Sequence, residues 1–202
     1  MSNAIKNHVL FPTLVCEFQH AASKDLIKTI RNEKIQDKSA LPFTTKNSKD
    51  NELQKKNEYK EIVDKILEVT EVICTLYNYE YKSLEITNLW INVAHKGELH
   101  PVHNHSNNVF SGVWYPFKSE KPTPIRFNDP RPANGILSPR GEINEVTSTI
   151  RTIPNTKDMG LIFPSWLEHY VPPALNTRIS LSWNILLRGE YGNPDTLQNA
   201  CI

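Results

Sequence analysis

The spacing of apolar positions divides the chain into two parts. In two stretches between residues 23 and 77 apolar side chains recur at helical intervals. Leu26, Ile27 and Ile30 share one face behind Ser23, a residue suited to capping a short helix. Ile62, Val63, Ile66, Leu67, Val69, Ile73 and Leu76 form a broad stripe that predicts a longer helix over 58–77. Ahead of both, HVLFPTLVCEF (8–18) reads as a strand broken by Pro12, and the polar, aperiodic residues 37–57 read as a long surface loop.

Beyond residue 83 the period shortens. LEITNLWINVA, VFSGVWYPF, PIRFND, EVTSTIRTI, MGLIFPSW and RISLSWNILL are short β-rich runs punctuated by Pro, Gly and Asn, as in a sandwich or jelly-roll barrel. In RISLSWNIL, Arg178, Ser180, Ser182 and Asn184 alternate with Ile179, Leu181, Trp183 and Ile185. Asn88, Trp90 and Asn92 alternate likewise with Leu89, Ile91 and Val93. Such polar faces look into water or, where helices cover the apolar faces, line the barrel. The expected class is mainly β (α+β), a jelly roll with flanking N-terminal helices. One domain spans 1–202, with residues 1–82 as support, 83–190 as core and 191–202 as a C-terminal tail.

Composition narrows the function classes. A net charge of +1 over 202 residues argues against a dedicated nucleic-acid binder. The segment KNSKDNELQKKNEYK mixes acids with its bases and reads as a solvated face. No run approaches the roughly 20 apolar residues of a membrane span, and MSNAIKNHVLFPTLV lacks a secretory signal's long apolar stretch. Cys16, Cys74 and Cys201 form no CxxC and suit reduced, structural thiols in a cytoplasmic protein.

Candidate chemistry concentrates at HPVHNH (100–105), which holds three of the seven histidines. In an extended segment His103 and His105 point the same way, able to reach one ion. His169 follows in FPSWLEHYVPP, and Arg178 opens the next apparent strand. His100, beside Pro101, reads as a bystander, and His8, His20 and His95 as structural or exposed. Asn92, Tyr115 and Asn184 are equally suited to lining a pocket or to structural positions. Trp90, Trp114, Trp166 and Trp183 read as core, Gly112 as a point of close packing, and DPRPANG (129–135) as a turn-rich loop near the barrel mouth.

The runs WINVAHKGELHPVHNHSNNVFSGVWYPF, PIRFNDPRP and GLIFPSWLEHYVPPALNTRISLSWNI resemble the 2-oxoglutarate/Fe(II)-dependent oxygenases typified by H-x-H…SGVYY…FPSWLxH…RISxSFN. The resemblance covers roughly residues 86–188. It implies a double-stranded β-helix in which His103, His105 and His169 are the metal ligands, with no catalytic residue beyond them. It makes Arg178 the anchor of 2-oxoglutarate, assisted by Ser180; arginine's planar fork suits a carboxylate. The implied co-reactants are Fe(II), 2-oxoglutarate and dioxygen, and the implied activity is hydroxylation of a small molecule or peptide, with a homodimer as one assembly option. The broader superfamily carries Asp or Glu where this chain has His105. Either His105 binds the metal itself or a water takes that place. A cupin-like metal-binding module and a three-histidine zinc hydrolase or isomerase are the alternative readings, and Arg178 argues against the module.

Overall fold

A computed structural model describes residues 6–37, 41–131, 135–137 and 139–202. Helix α1 (Lys24–Asn32) starts where Ser23 Oγ accepts the Leu26 N–H at 3.2 Å. Helix α2 (Lys60–Tyr77) follows a short 3-10 turn and ends at Asn78 in the left-handed conformation, φ 55°. That turn shortens the helix expected from residue 58.

The strands, in chain order, are β1 (Cys16–Gln19), β2 (Ile35–Gln36), β3 (Lys46–Ser48), β4 (Ser83–Ala94), β5 (His100–His103), β6 (Phe110–Tyr115) and β7 (Ile125–Asn128). They continue with β8 (Ile150–Ile153), β9 (Met159–Pro164), β10 (His169–Val171), β11 (Arg178–Arg188), β12 (Glu190–Gly192) and β13 (Asn199–Cys201). A major sheet runs β1-β9-β6-β11-β4-β3-β2 and a minor one β5-β10-β7-β8, with β12 and β13 pairing separately. Every pairing between named strands is antiparallel, and the two large sheets face one another as a jelly roll.

Two apolar layers hold this arrangement. Leu26, Ile30, Ile62, Ile66 and Ile73 of the helices pack on Leu89, Ile91, Leu181, Trp183 and Ile185 of the major sheet. Val113, Tyr115, Leu161 and Phe163 of that sheet meet Ile125, Phe127 and Val171 of the minor one. The alternation in β4 and β11 therefore resolves inward. Their apolar faces lie under the helices, so Asn92, Arg178, Ser180 and Ser182 look between the sheets. Gly112 makes room for its cross-strand neighbour Trp183, because a Cβ there would collide with that ring.

Three expectations need correction. The strand foreseen over 8–18 begins only at Cys16, and Val9, Leu10 and Phe11 are exposed. The run EVTSTIRTI is strand only over Ile150–Ile153. Residues 41–57 are not a surface loop; Thr44, Thr45, Ser48 and Leu53 are buried. Their hydroxyls bond backbone instead of water: Thr45 Oγ1 donates to Leu99 O at 3.2 Å, and Ser48 Oγ accepts the Ile91 N–H at 3.1 Å. The rest of that predicted loop, 38–40, and part of DPRPANG, 132–134, lie outside the described residues.

Candidate metal centre

Strand pairing builds the histidine cluster. His169 on β10 sits directly across from His103 at the end of β5, and the His105 N–H donates to Ser165 O at 2.9 Å. One ring nitrogen from each of His103, His105 and His169 lies within 4.8 Å of the others. His103 Nδ1 is 2.8 Å from Pro101 O, and His169 Nδ1 is 2.9 Å from Leu167 O. A carbonyl only accepts, so each Nδ1 carries the proton and each Nε2 keeps a lone pair, the usual way a metal-binding imidazole is oriented.

Electrostatics keeps the donors neutral. Burial, then the neighbouring His103 ring, pushes His169 down to about 3 and His105 to about 4. Burial also lowers His103, opposed by its bond to Pro101. These imidazoles repel one another when protonated, and neutral they offer the donor set that zinc, copper, iron and nickel accept. Among the described residues no carboxylate joins the group, so a divalent ion here would keep its full charge.

Arg178 lies in the same recess. It is 6% exposed, its Nε has no hydrogen-bond partner, and among the described residues no carboxylate pairs with it. A buried, unpartnered guanidinium is costly unless an anion joins it. Ser180, two positions on along the same face, is buried beside it. Tyr115 faces the recess too; burial raises its hydroxyl pKa, and the nearby Arg178 charge works against that rise. The donors thus suit a cation bound near an anion whose far end reaches Arg178.

Two cavities meet at the histidines. The inner recess, about 30 Å³, is bounded by the triad, Arg178, Ser180 and the apolar Ile125, Phe163 and Val171. The outer groove, about 520 Å³, is walled by Thr44, Thr45, Asn47, Ser48, Asn88 and Trp90. Asn92 braces the partition. Its Oδ1 accepts from Trp90 Nε1 at 3.0 Å and Asn47 Nδ2 at 2.8 Å, and its Nδ2 donates to Ser182 Oγ at 2.8 Å.

The sequence brought forward all five candidates, His103, His105, His169, Arg178 and Ser180, and all five line this recess. It passed over His100, whose ring stacks on His103 with centroids 4.5 Å apart. Of the residues equally suited to a pocket or to structural positions, Asn92 and Tyr115 line the recess and Asn184 the groove. Only the pairing of β5 with β10 turns His100 inward. The other three histidines behave as expected: His8 and His95 are exposed, and His20 bonds Glu61 at 3.1 Å. Trp114 and Trp183 are core, whereas Trp90 lines the groove and Trp166 is 54% exposed.

Comparison with known proteins follows this geometry. Residues 88–184 match the family described as "Putative 2OG-Fe(II) oxygenase". No curated protein matches the chain. Among solved structures, a 2OG-Fe(II) oxygenase-family oxidoreductase from Burkholderia pseudomallei superposes with a TM-score of 0.59 at 11% identity, covering 85% of this chain and 84% of that one. A Pseudomonas putida prolyl-4-hydroxylase gives 0.60 at 11% identity, covering 87% and 94%. HygX from Streptomyces hygroscopicus, solved with nickel, 2-oxoglutarate and hygromycin B, gives 0.56 at 7% identity, covering 87% and 83%. At such identities the likeness is one of fold.

Proposed function

Because residues 88–184 belong to the 2OG-Fe(II) oxygenase family, we propose that His103, His105 and His169 hold Fe(II) and that Arg178 and Ser180 hold the far carboxylate of 2-oxoglutarate. One observation carries this reading: three convergent imidazole donors and an unpaired buried arginine share one recess. Bound there, Fe(II), 2-oxoglutarate and dioxygen supply the oxidising power to decarboxylate the co-substrate to succinate and hydroxylate a C–H bond of a second substrate.

The protein's own part is orientation and exclusion of water. Pro101 O and Leu167 O fix the tautomers and aim two Nε2 lone pairs at one point. Arg178 presents a rigid fork to a carboxylate, with Ser180 able to add a hydroxyl bond. Phe163, Val171 and Ile125 keep the recess apolar around them. Three imidazoles in place of two and a carboxylate leave the metal site one unit more positive, which favours a closely held anionic co-substrate.

The substrate belongs in the outer groove. Apart from histidines, its lining side chains are uncharged amides, hydroxyls, Trp90 and Pro101. A small molecule or peptide presenting a neutral, hydrogen-bonding surface suits it best. Anaerobic titration of the Fe(II)-loaded protein with 2-oxoglutarate tests the reading. A saturable visible absorption band is expected, together with succinate formation once oxygen and substrate are admitted. Iron binding without any band would overturn it.

A further inference from the structure

His100 belongs to neither the donor set nor the wall that Arg178 forms, yet its ring borders the recess that both line. It lies nearly parallel to the His103 ring, at 15° and 4.5 Å, and borders both the inner recess and the outer groove. Burial lowers its basicity first, then the charges of His103, Arg178, His169 and His105, so the imidazole sits within electrostatic reach of every group in the recess. Among the described residues its ring makes no hydrogen bond. The recess that remains, about 30 Å³, has room for about two water molecules and not for a five-carbon dicarboxylate.

Something must therefore move before an anion can bridge the histidines and Arg178. Most of the wall is fixed. His169 lies on β10 between two neighbours, Arg178 opens β11 at the centre of the major sheet, and Asn92 and Trp90 are tied by hydrogen bonds. His100 is different. It starts β5, an edge strand of the minor sheet, and the groove of about 520 Å³ opens on its other side.

We propose that the His100 side chain is a stopper in the co-substrate site: it fills the path between the metal-binding histidines and Arg178, and swings into the outer groove when 2-oxoglutarate enters. The swing couples the two cavities, since the displaced imidazole then lines the substrate groove as a hydrogen-bonding group. This deepens the Fe(II)/2-oxoglutarate reading and rests on it.

The test is the affinity of 2-oxoglutarate for the anaerobic Fe(II)-loaded protein, read from the visible band and by calorimetry. A co-substrate that binds only the open fraction has its affinity reduced by that fraction. His100→Ala opens the path permanently and should tighten 2-oxoglutarate by about five- to tenfold, while Fe(II) affinity stays within about twofold. His100→Phe keeps the path filled and should give no tightening. Should the alanine variant fail to fold, His100→Ser is read in the same way. Weaker 2-oxoglutarate binding in His100→Ala would make the residue a co-substrate ligand, and weaker Fe(II) binding would make it a fourth metal ligand. Either result, or no change at all, overturns the stopper. If the unmodified protein binds Fe(II) but yields no band with 2-oxoglutarate, both readings fall; a normal band with no tightening removes the stopper alone.

Discussion

An arginine buried to 6% exposure with an unsatisfied Nε is a liability in the free protein. Arg178→Met keeps the length and removes the charge, so it should separate stability from function. Replacing buried ionic groups by apolar ones of similar volume often stabilises. The ligand-free variant should therefore melt about 2–4 °C higher, near 1 kcal/mol for a chain of this size, while 2-oxoglutarate binds at least about 100-fold more weakly. Lower melting with binding retained would make Arg178 a structural residue instead. His105 poses a different question, because nothing besides its ring fixes it as a donor. If it binds the metal, His105→Ala should lower Fe(II) affinity by at least about tenfold, and His105→Asp should preserve binding with one less positive charge on the site. Equal affinities in all three proteins, by competition with a chromophoric chelator, would put a water in its place. His103, His169 and Arg178 were legible in the sequence because their chemistry travels with motif spacing. His100 was not, since a histidine before proline reads as solvent-facing until its strand partner is known.

At the scale of elements, the helices were readable from their stripes, and so were the long strands β4, β6, β9 and β11. Segment 41–57 was not. It pairs through the three residues of β3 and two isolated bridges, Thr44 with Leu99 and Glu52 with Leu89, too short for a period, and its burial comes from contacts with Leu99, Ile91 and Leu89 far along the chain. A second long-range clamp joins the two helices. Glu61, in the first turn of α2, accepts the Ser23 N–H at 2.9 Å and lies 3.1 Å from His20 Nε2. Burial pulls the Glu61 carboxyl up, but the bonds from Ser23 and the His20 charge together hold it below its ordinary value. A carboxyl depressed on folding adds stability above its unfolded pKa, about 4.3, and loses it as pH falls through the lower folded value. Glu61→Gln should thus cost about 1 kcal/mol in urea unfolding at pH 7, discounted because the side chain is one-third exposed. The gap from the unmodified protein should shrink towards zero near pH 3. A constant gap at both pH values would locate the loss in packing and not in charge.

For the whole molecule, the arrangement divides labour between fixed and movable parts. His169 and Arg178 stand on interior strands of the two sheets, whereas His100 and His103 stand on the edge strand β5. The family match begins at residue 88, yet the preceding residues supply both helices, strands β1 to β3 and the Thr44–Ser48 wall of the groove. Without them, Leu89, Ile91, Leu181, Trp183 and Ile185, all fully buried, would face water as one continuous sheet surface. Burial of each such side chain contributes about 1.5–3 kcal/mol, so five of them approach the entire 5–15 kcal/mol stability typical of a domain. Residues 83–190 expressed alone should therefore fail to fold cooperatively. The expected signs are binding of a hydrophobic dye, loss of the near-ultraviolet signal of Trp114 and Trp183, and no sharp thermal transition. Fe(II) should then bind no more tightly than to a histidine-containing peptide, because Ser165 O no longer holds the His105 backbone and Leu167 O no longer orients the His169 ring. A sharp transition with retained Fe(II) affinity would instead make the helical layer an accessory to a barrel that stands by itself.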